Sequence, residues 1–254
     1  MSFATLRSRL WHMLRTHRWQ LFSLFVAVLL PLYLFGALAE DVVERESFSL
    51  DDPLLLYAHS LATPTWDAVM LLLSRLGYQW GVVPLDVTIL LALLFRRLRR
   101  DSLFFGLSVI GAAILNQTAK VLFGRDRPKL WPSVAPEPTF SFPSGHAMGS
   151  AALVTALVVL LWPTRWRYPM LLLGSIFVLL VSLSRIYLGV HYPSDILAGW
   201  AASFAWVMGL SSILYGRLGK PNPARLQNKD QRAGNNQDAA GDRLPGERLP
   251  QKDR

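Results

Sequence analysis

The chain has 254 residues, of which 52% are hydrophobic and only 17% are charged. Soluble domains usually carry about 25% charged residues, so this composition excludes a disordered chain and argues against a soluble globular enzyme. The net charge is +9, and the basic residues lie between long apolar runs. This arrangement indicates that they interact with anionic lipid head groups and not with nucleic acid. Because the chain has no cysteine, disulfides, thiolate catalysis and cysteine metal sites are excluded.

Six apolar runs are candidates for membrane helices, which need roughly 20 apolar residues each. The first follows a basic N-terminal segment at residues 1–20, and its length favours a retained anchor over the alternative, a cleaved signal peptide. The second is short and is interrupted by Pro84 and Asp86. The runs cover residues 21–39, 80–95, 103–123, 147–162, 169–188 and 196–215. The predicted fold class is therefore all-α: a polytopic membrane domain at residues 21–216 with about six transmembrane helices.

Two other segments are too short or too polar to cross a bilayer. Residues 65–77 are predicted to form an interfacial or re-entrant helix, because Pro64 suits a helix start and Gly77 a helix end. Residues 217–254 are rich in Asn, Gln, Asp, Arg, Gly and Pro. Such a segment buries too little apolar surface to offset its chain entropy, so we expect a disordered tail.

The orientation follows from the basic residues in the short loops, since arginine and lysine accumulate on the cytoplasmic side. One set of loops is rich in them, at residues 7–18, 96–100, 165–167 and 217–225, whereas the other set holds fewer and includes an acidic segment at residues 40–52. Both termini are therefore predicted to be cytoplasmic, with the second set of loops outside.

The outward loop after the third run departs from this charge bias. It contains Arg125, Arg127 and Lys129, and Lys120 lies at the end of the run before it. Fixed cations facing outward suggest an anionic ligand, and guanidinium groups match phosphate oxygens bidentately. Taken alone, the segment fits a patch on lipid head groups equally well.

Two more outward segments contain histidine. Ser144 and Gly145 precede His146 at the start of the fourth run, where a serine N-cap, a glycine and the free N–H groups of a helix start suit an anion. His191 lies four residues before Asp195, close enough for the carboxylate to fix the imidazole tautomer and to favour its positive form. Each segment also fits a plain capped helix end, but all three fall on the same predicted side of the membrane.

Together these segments resemble the three-part signature of the type 2 phosphatidic acid phosphatase family, whose core is similar to that of vanadium haloperoxidases. The match extends over residues 120–195 and, with the six runs, over about residues 21–215. The matching residues are Lys120, Arg127 and Pro128, then Pro143, Ser144, Gly145 and His146, then Ser184, Arg185, His191 and Asp195.

The resemblance implies a role for each polar residue of the signature. His191 would be the nucleophile that forms a phosphohistidine, Asp195 would orient it, and His146 would act as general acid and then as general base. The family works without metal, so no cofactor is expected, whereas Arg125, Asp126 and Lys129 lie outside the motifs and have no implied role. The phosphoryl oxygens would be bound by Lys120, Arg127, Ser144, Gly145 and Arg185.

The sequence therefore predicts an integral lipid phosphatase of a bacterial plasma membrane, with its site at the outer face and a lipid phosphate as its partner. The resemblance suggests undecaprenyl diphosphate, phosphatidylglycerol phosphate or phosphatidic acid as substrates. A lipid phosphotransferase with the same site is the nearest alternative. A lipid-phosphate transporter is a further one, which Asp86 would support if it relayed protons; otherwise Asp86 is an interfacial residue bonded to a neighbouring helix.

Overall fold

The computed structural model of the protein describes Phe22, residues 24–46 and residues 48–215. The predicted basic segment at residues 1–20 and the predicted tail at residues 217–254 lie outside the described residues. Within the described part of the chain, all regular structure is helical and no strand occurs. The predicted all-α fold is confirmed.

Eight α-helices follow one another along the described residues. The first, α1, continues directly from a π-helical turn at Phe25–Leu29. The helices are α1 (Leu30–Glu44), α2 (Asp51–Ser60), α3 (Pro64–Leu76), α4 (Val82–Phe95), α5 (Arg99–Phe123), α6 (Gly145–Leu161), α7 (Arg167–Tyr187) and α8 (Pro193–Tyr215).

Among the residues that the structure describes, four helical segments are long and apolar enough to cross a membrane: Phe25–Glu44, Arg99–Phe123, Arg167–Tyr187 and Pro193–Tyr215. The other two predicted spans are helices too, and they are as short as their apolar runs in the sequence. With 14 residues in α4 and 17 in α6, they extend about 21 and 26 Å, less than the roughly 30 Å of a hydrocarbon core. The prediction of a polytopic helical membrane protein is confirmed. Of the six predicted spans, four are long enough to cross a bilayer by length and composition.

The short helix α6 lies at the centre of the bundle, in contact with α5, α7 and α8. Its buried face is lined by small side chains, among them Ala147, Ala151, Ala152 and Ala156, which allow neighbouring helices to approach closely. Because protein rather than lipid surrounds much of α6, its length does not have to match the bilayer.

Two helices precede the bundle core on the side of the predicted outer loops. Helix α3 begins at Pro64, where the side chain of Thr63 accepts a hydrogen bond from the backbone N–H of Trp66 at 3.2 Å, and Gly77 is its C-cap. Its predicted limits are confirmed. Helix α2 was not predicted, because its sequence reads as an acidic loop; Asp51 and Asp52 lie in its first turn, where carboxylates interact favourably with the helix dipole.

Candidate active site

The candidate site lies where four helix ends meet. Lys120 is in the last turn of α5 and Arg185 in the last turn of α7, whereas His146 and Asp195 are in the first turns of α6 and α8. Consecutive helices that run in alternating directions bring these ends to the same end of the bundle. His191 precedes α8 and is fully buried.

His191 is held between a carboxylate and a guanidinium. Its Nδ1 lies 3.4 Å from Oδ2 of Asp195, and its Nε2 lies 3.1 Å from Nη1 of Arg127. A guanidinium can only donate hydrogen bonds, so Nε2 must present its lone pair and Nδ1 must carry the proton. This is the tautomer in which Asp195 orients the ring and Nε2 can act as a nucleophile.

The charge state of His191 differs from the sequence-based expectation. Burial, followed by the positive charges of Arg185 and Arg127, lowers the pKa of His191 well below its usual value. Asp195 therefore fixes the tautomer without making the positive form prevail. The imidazole is neutral at pH 7, as a nucleophile requires.

Asp195 is itself held by a residue outside the motifs. Nη1 of Arg125 donates to Oδ1 of Asp195 at 2.5 Å and to the hydroxyl of Ser194 at 2.8 Å, and Nη2 donates to Oδ2 of Asp51 at 2.9 Å. Burial alone would lower the pKa of Arg125, but Asp195 and Asp51 outweigh burial and raise it. Arg125 thus supports the carboxylate that orients His191.

The start of α6 differs in one detail from the prediction. Ser144 occupies the N-cap position, but its side chain makes no capping bond, and its buried Oγ has no hydrogen-bond partner. The backbone N–H of Ser144 donates to the carbonyl of Asp195 at 3.1 Å, which joins α6 to α8. The N–H groups of the next residues have no acceptor within the helix, so this helix start presents donors to an anion.

Gly145 is needed for close packing. A Cβ at this position would lie 3.0 Å from Oδ1 of Asn116, a side chain that also donates to the carbonyl of Pro143 at 3.0 Å. In the sequence, Gly145 was interpreted as allowing a ligand to approach the backbone. In the structure, Asn116 of the neighbouring helix α5 also requires a glycine at this position.

The three predicted phosphate-binding cations share a small set of acceptors at residues 137–140. Lys120 Nζ donates to the carbonyl of Phe140 at 2.5 Å and to the hydroxyl of Thr139 at 3.2 Å. Arg127 donates to the carbonyl of Thr139 at 2.6 Å and to Oε2 of Glu137 at 2.6 Å. Arg185 donates to Oε1 of Glu137. The cations therefore converge on one short segment of the α5–α6 loop.

Glu137 lies at the centre of this cluster. Its Oε1 is also 3.9 Å from Nδ1 of His146, so its carboxylate reaches two arginines and one histidine. Burial would raise the pKa of Glu137, but the surrounding positive groups, above all Arg185, outweigh burial and lower that pKa to about 2. The carboxylate is ionised at any physiological pH. Neither Glu137 nor Asp51 was singled out in the sequence.

Arg185 is the most deeply buried cation of the cluster, with 1% of its surface exposed. Besides Glu137, it donates to the hydroxyl of Ser74 in α3. Its Nε has no hydrogen-bond partner. Among the residues that the structure describes, three buried side-chain atoms lack a partner, and two of them, Nε of Arg185 and Oγ of Ser144, belong to the predicted phosphate site.

A polar cavity of about 620 Å³ opens beside the cluster. Lys120, His146 and Arg185 line it from the motifs, and Asp86 lines it from α4. The expectation that Asp86 is hydrogen-bonded to a neighbouring helix is not met for Oδ1, which is buried without a partner. Asp126 and Lys129, by contrast, form an exposed ion pair at 3.1 Å away from the cavity.

Metal ligands do not assemble in this cluster. In the described ranges, no group of three or more His, Asp or Glu side chains could hold a metal ion. The charged side chains that line the cavity include Arg75, Lys120 and Arg185 beside the carboxyl groups of Glu137 and Asp86, and the three cations supply donors that suit an anion.

Comparison with known proteins identifies the family to which the chain belongs. Residues 101–218 match the PAP2 superfamily, and this range contains all three motifs. An undecaprenyl-diphosphatase of Sulfolobus acidocaldarius is 31% identical over 204 residues, which cover 78% of this chain and 91% of that protein. The chain belongs to the PAP2 superfamily. The family predicted from the three motifs is confirmed.

Further PAP2 relatives agree in sequence and in fold. A phosphatidylglycerophosphatase B of Bacillus subtilis is 29% identical over 176 residues, covering 67% of this chain and 86% of that protein. The crystal structure of a transmembrane PAP2-type phosphatidylglycerolphosphate phosphatase from Bacillus subtilis matches with a TM-score of 0.62 and 28% identity, covering 77% of this chain and 96% of that one. The PAP2 relatives are thus named as phosphatases of lipids, and the helices described here share their membrane fold.

Proposed function

We propose that the protein is a lipid phosphatase that hydrolyses the phosphomonoester or diphosphate head group of a membrane lipid through a phosphohistidine. The observation that carries this proposal is the pair of contacts at His191. Asp195 is on its Nδ1 side and Arg127 is on its Nε2 side, so the lone pair of a neutral imidazole faces a phosphate-binding cation.

The first half-reaction begins when Nε2 of His191 attacks phosphorus. The bond between phosphorus and the lipid oxygen breaks, and that oxygen takes a proton from His146 and leaves as a lipid alcohol or, from a diphosphate, as a lipid monophosphate. In the second half-reaction His146 removes a proton from water, whose oxygen attacks phosphorus. The phosphorus–nitrogen bond then breaks and returns its electron pair to Nε2 of His191.

The charge that develops on the phosphoryl oxygens would be stabilised by Lys120, Arg127 and Arg185. Phosphoryl transfer depends mainly on positioning and on such electrostatic stabilisation. The unpaired Nε of Arg185 and the unpaired Oγ of Ser144 supply further donors, as do the first N–H groups of α6. Buried polar atoms without partners are rare in proteins, and here they coincide with the proposed phosphate site.

An apolar groove supports a lipid substrate rather than a soluble phosphate ester. A cavity of about 460 Å³ is lined by Val28 and Leu32 of the first helical segment, Leu115 of α5 and Trp206 of α8. It extends to Pro143, the residue directly before Ser144. A lipid chain in this groove would bring its head group to the start of α6, with entry from the bilayer.

The names of the relatives support the choice of substrate, and the charge pattern supports the orientation. The named relatives act on undecaprenyl diphosphate and phosphatidylglycerol phosphate, and we propose these lipids, with phosphatidic acid, as the substrates of this chain. The basic loops at residues 96–100 and 165–167 favour cytoplasmic termini, which directs the cluster to the outer face of a bacterial plasma membrane.

Release of inorganic phosphate from a panel of lipid phosphates by the purified protein in detergent tests this proposal. We expect turnover by the wild type and by His59→Ala, which changes a histidine that stacks on Trp131 outside the site. His191→Ala should lose turnover but still bind lipid phosphate. Full turnover by His191→Ala, or transfer of the phosphate to a second lipid instead of water, would contradict the proposal.

A further inference from the structure

The carboxylate of Glu137 is hydrogen-bonded to the arginines that would bind a phosphoryl group. We propose that Glu137 is an internal anion that competes with phosphate ligands for Arg127 and Arg185, so that an anion binds only by displacing it. This competition weakens the binding of every anion, so that only an anion with additional contacts in the site still binds. The inference rests on the proposed function, because that function assigns both arginines to the phosphoryl oxygens.

The contacts of Glu137 imitate those of a bound phosphate. Oε2 accepts from Nη2 of Arg127 at 2.6 Å, Oε1 accepts from Arg185, and Oε1 is 3.9 Å from Nδ1 of His146. These are the two cations and the general acid that would face the phosphoryl oxygens and the leaving oxygen. A phosphate could not form the same bonds while the carboxylate keeps them.

The two arginines keep other partners when Glu137 leaves. Arg127 also donates to the carbonyls of Thr139 and Val190, at 2.6 and 2.7 Å, and Arg185 also donates to Ser74. Glu137 is therefore not required to hold the guanidinium groups in place. Its side chain is 27% exposed, so it borders the cavity and has a direction in which to move.

The charges of phosphodiesters and phosphomonoesters indicate which lipids can displace Glu137. A phosphodiester head group carries one negative charge, as the carboxylate does, and displacing Glu137 with it exchanges one monoanion for another. A phosphomonoester carries about −1.5 to −2 charges at pH 7 and has three acceptor oxygens. It can therefore bond to Lys120 and Ser144 as well as to the arginines. Phosphodiester lipids at the bilayer surface are kept from occupying the site, whereas phosphomonoesters and diphosphates still bind.

The test compares the full-length wild type with Glu137→Gln, a substitution of equal size that removes the charge. Inorganic phosphate binding is measured by calorimetry in detergent at pH 8, and dimethyl phosphate, a phosphodiester monoanion, is used as a competitive inhibitor of turnover. We expect the dissociation constant of phosphate and the inhibition constant of dimethyl phosphate both to fall by about tenfold or more, because one charged hydrogen-bonded competitor is removed. Glu46→Gln, at an exposed glutamate, should change neither constant.

Two results would overturn the inference. If Glu137 merely positioned the arginines, Glu137→Gln would bind phosphate more weakly; if it had no role, both constants would stay at their wild-type values. Phosphate binding is also measured in the His191→Ala background, where turnover is not needed. A wild type that releases no phosphate from lipids would contradict the proposed function, whereas the binding comparison would still decide the role of Glu137.

Discussion

Nη1 of Arg125 lies 2.5 Å from Oδ1 of Asp195, while the other oxygen of that carboxylate faces the imidazole of His191 at 3.4 Å. Arg125 also pairs with Asp51 of α2 at 2.9 Å. The proposed nucleophile, the neutral His191, therefore lies at the end of a chain in which the charges of Asp51, Arg125 and Asp195 alternate in sign, and this chain begins outside the three motifs. Each member constrains the next, so Arg125 is a positioning residue for the proposed reaction.

Replacement of Arg125 should lower kcat and leave KM almost unchanged. Arg125→Ala leaves Asp195 and Asp51 without their cation, and breaking a buried pair in this way is strongly destabilising. We expect kcat to fall about 100-fold while KM changes less than threefold, because Arg125 does not contact the phosphate-binding cluster. Arg125→Lys should recover part of kcat, and Lys129→Ala, in the exposed pair with Asp126, should match the wild type. A rise in KM without loss of kcat would contradict this role.

The pH profile of kcat/KM should reflect the neutral His191. Burial and the charges of Arg185 and Arg127 lower the pKa of His191, and the neutral form is the active one. On the acid side, activity is therefore lost as the pH falls through this lowered pKa, and the acid limb should lie well below pH 6.5. Removing a positive charge in Arg127→Ala raises the pKa, so its acid limb should move to higher pH, whereas Arg127→Lys should keep it. An acid limb that is unchanged in Arg127→Ala would show that another group titrates there.

Two glycines of α8 offer a matched test of helix packing. A Cβ at Gly199 would lie 3.0 Å from the carbonyl oxygen of Ser144, whereas a Cβ at Gly209 has no atom within 4 Å. Gly199→Ala should push the start of α6 away, lower the stability by about 1–3 kcal/mol and reduce turnover about 10- to 100-fold. Gly209→Ala should be neutral or stabilising by up to about 1 kcal/mol. Thermal unfolding in detergent and turnover check both; equal behaviour of the two variants would refute the packing argument.

Ser144 should contribute to binding rather than to stability. Its Oγ has no partner, so Ser144→Ala removes no protein hydrogen bond and should change the free energy of unfolding by less than about 0.5 kcal/mol. KM should rise about tenfold, since a hydrogen bond to a charged phosphate is lost. Ser108→Ala, whose Oγ donates to the carbonyl of Phe104 at 2.8 Å, should show the reverse pattern: lower stability and an unchanged KM. A destabilised Ser144→Ala with a wild-type KM would assign the serine to the helix cap.

The sequence predicted the helical membrane fold and the end of the bundle at which the motif residues meet. This was possible because apolar runs that alternate in direction bring Lys120, His146, Arg185 and Asp195 to one side, and because the motif residues have distinctive spacing. The fourth run was already short in the sequence, at residues 147–162, but the sequence could not give the reason, which is that protein surrounds much of α6.

The acidic partners of the cluster could not be predicted for a different reason. Glu137 lies in a loop without periodicity, and its two arginines are 10 and 48 residues away along the chain. Asp51 is 74 residues from Arg125 and appeared only as part of an acidic segment. An ion pair between such distant positions leaves no local pattern. The available signal was the concentration of cations in the one loop at residues 125–129, which called for an anionic partner.

Detection of a phosphohistidine is the sharpest test of His191 as the nucleophile. His146→Ala, which lacks the base that would activate water, is mixed with a phosphate ester that has a good leaving group and a radiolabelled phosphate, and is quenched after a single turnover. We expect an acid-labile label on His191 of this variant and no label when His191→Ala is added. A label that persists in the double variant, or steady turnover by His191→Ala alone, would contradict the assignment of His191 as the nucleophile.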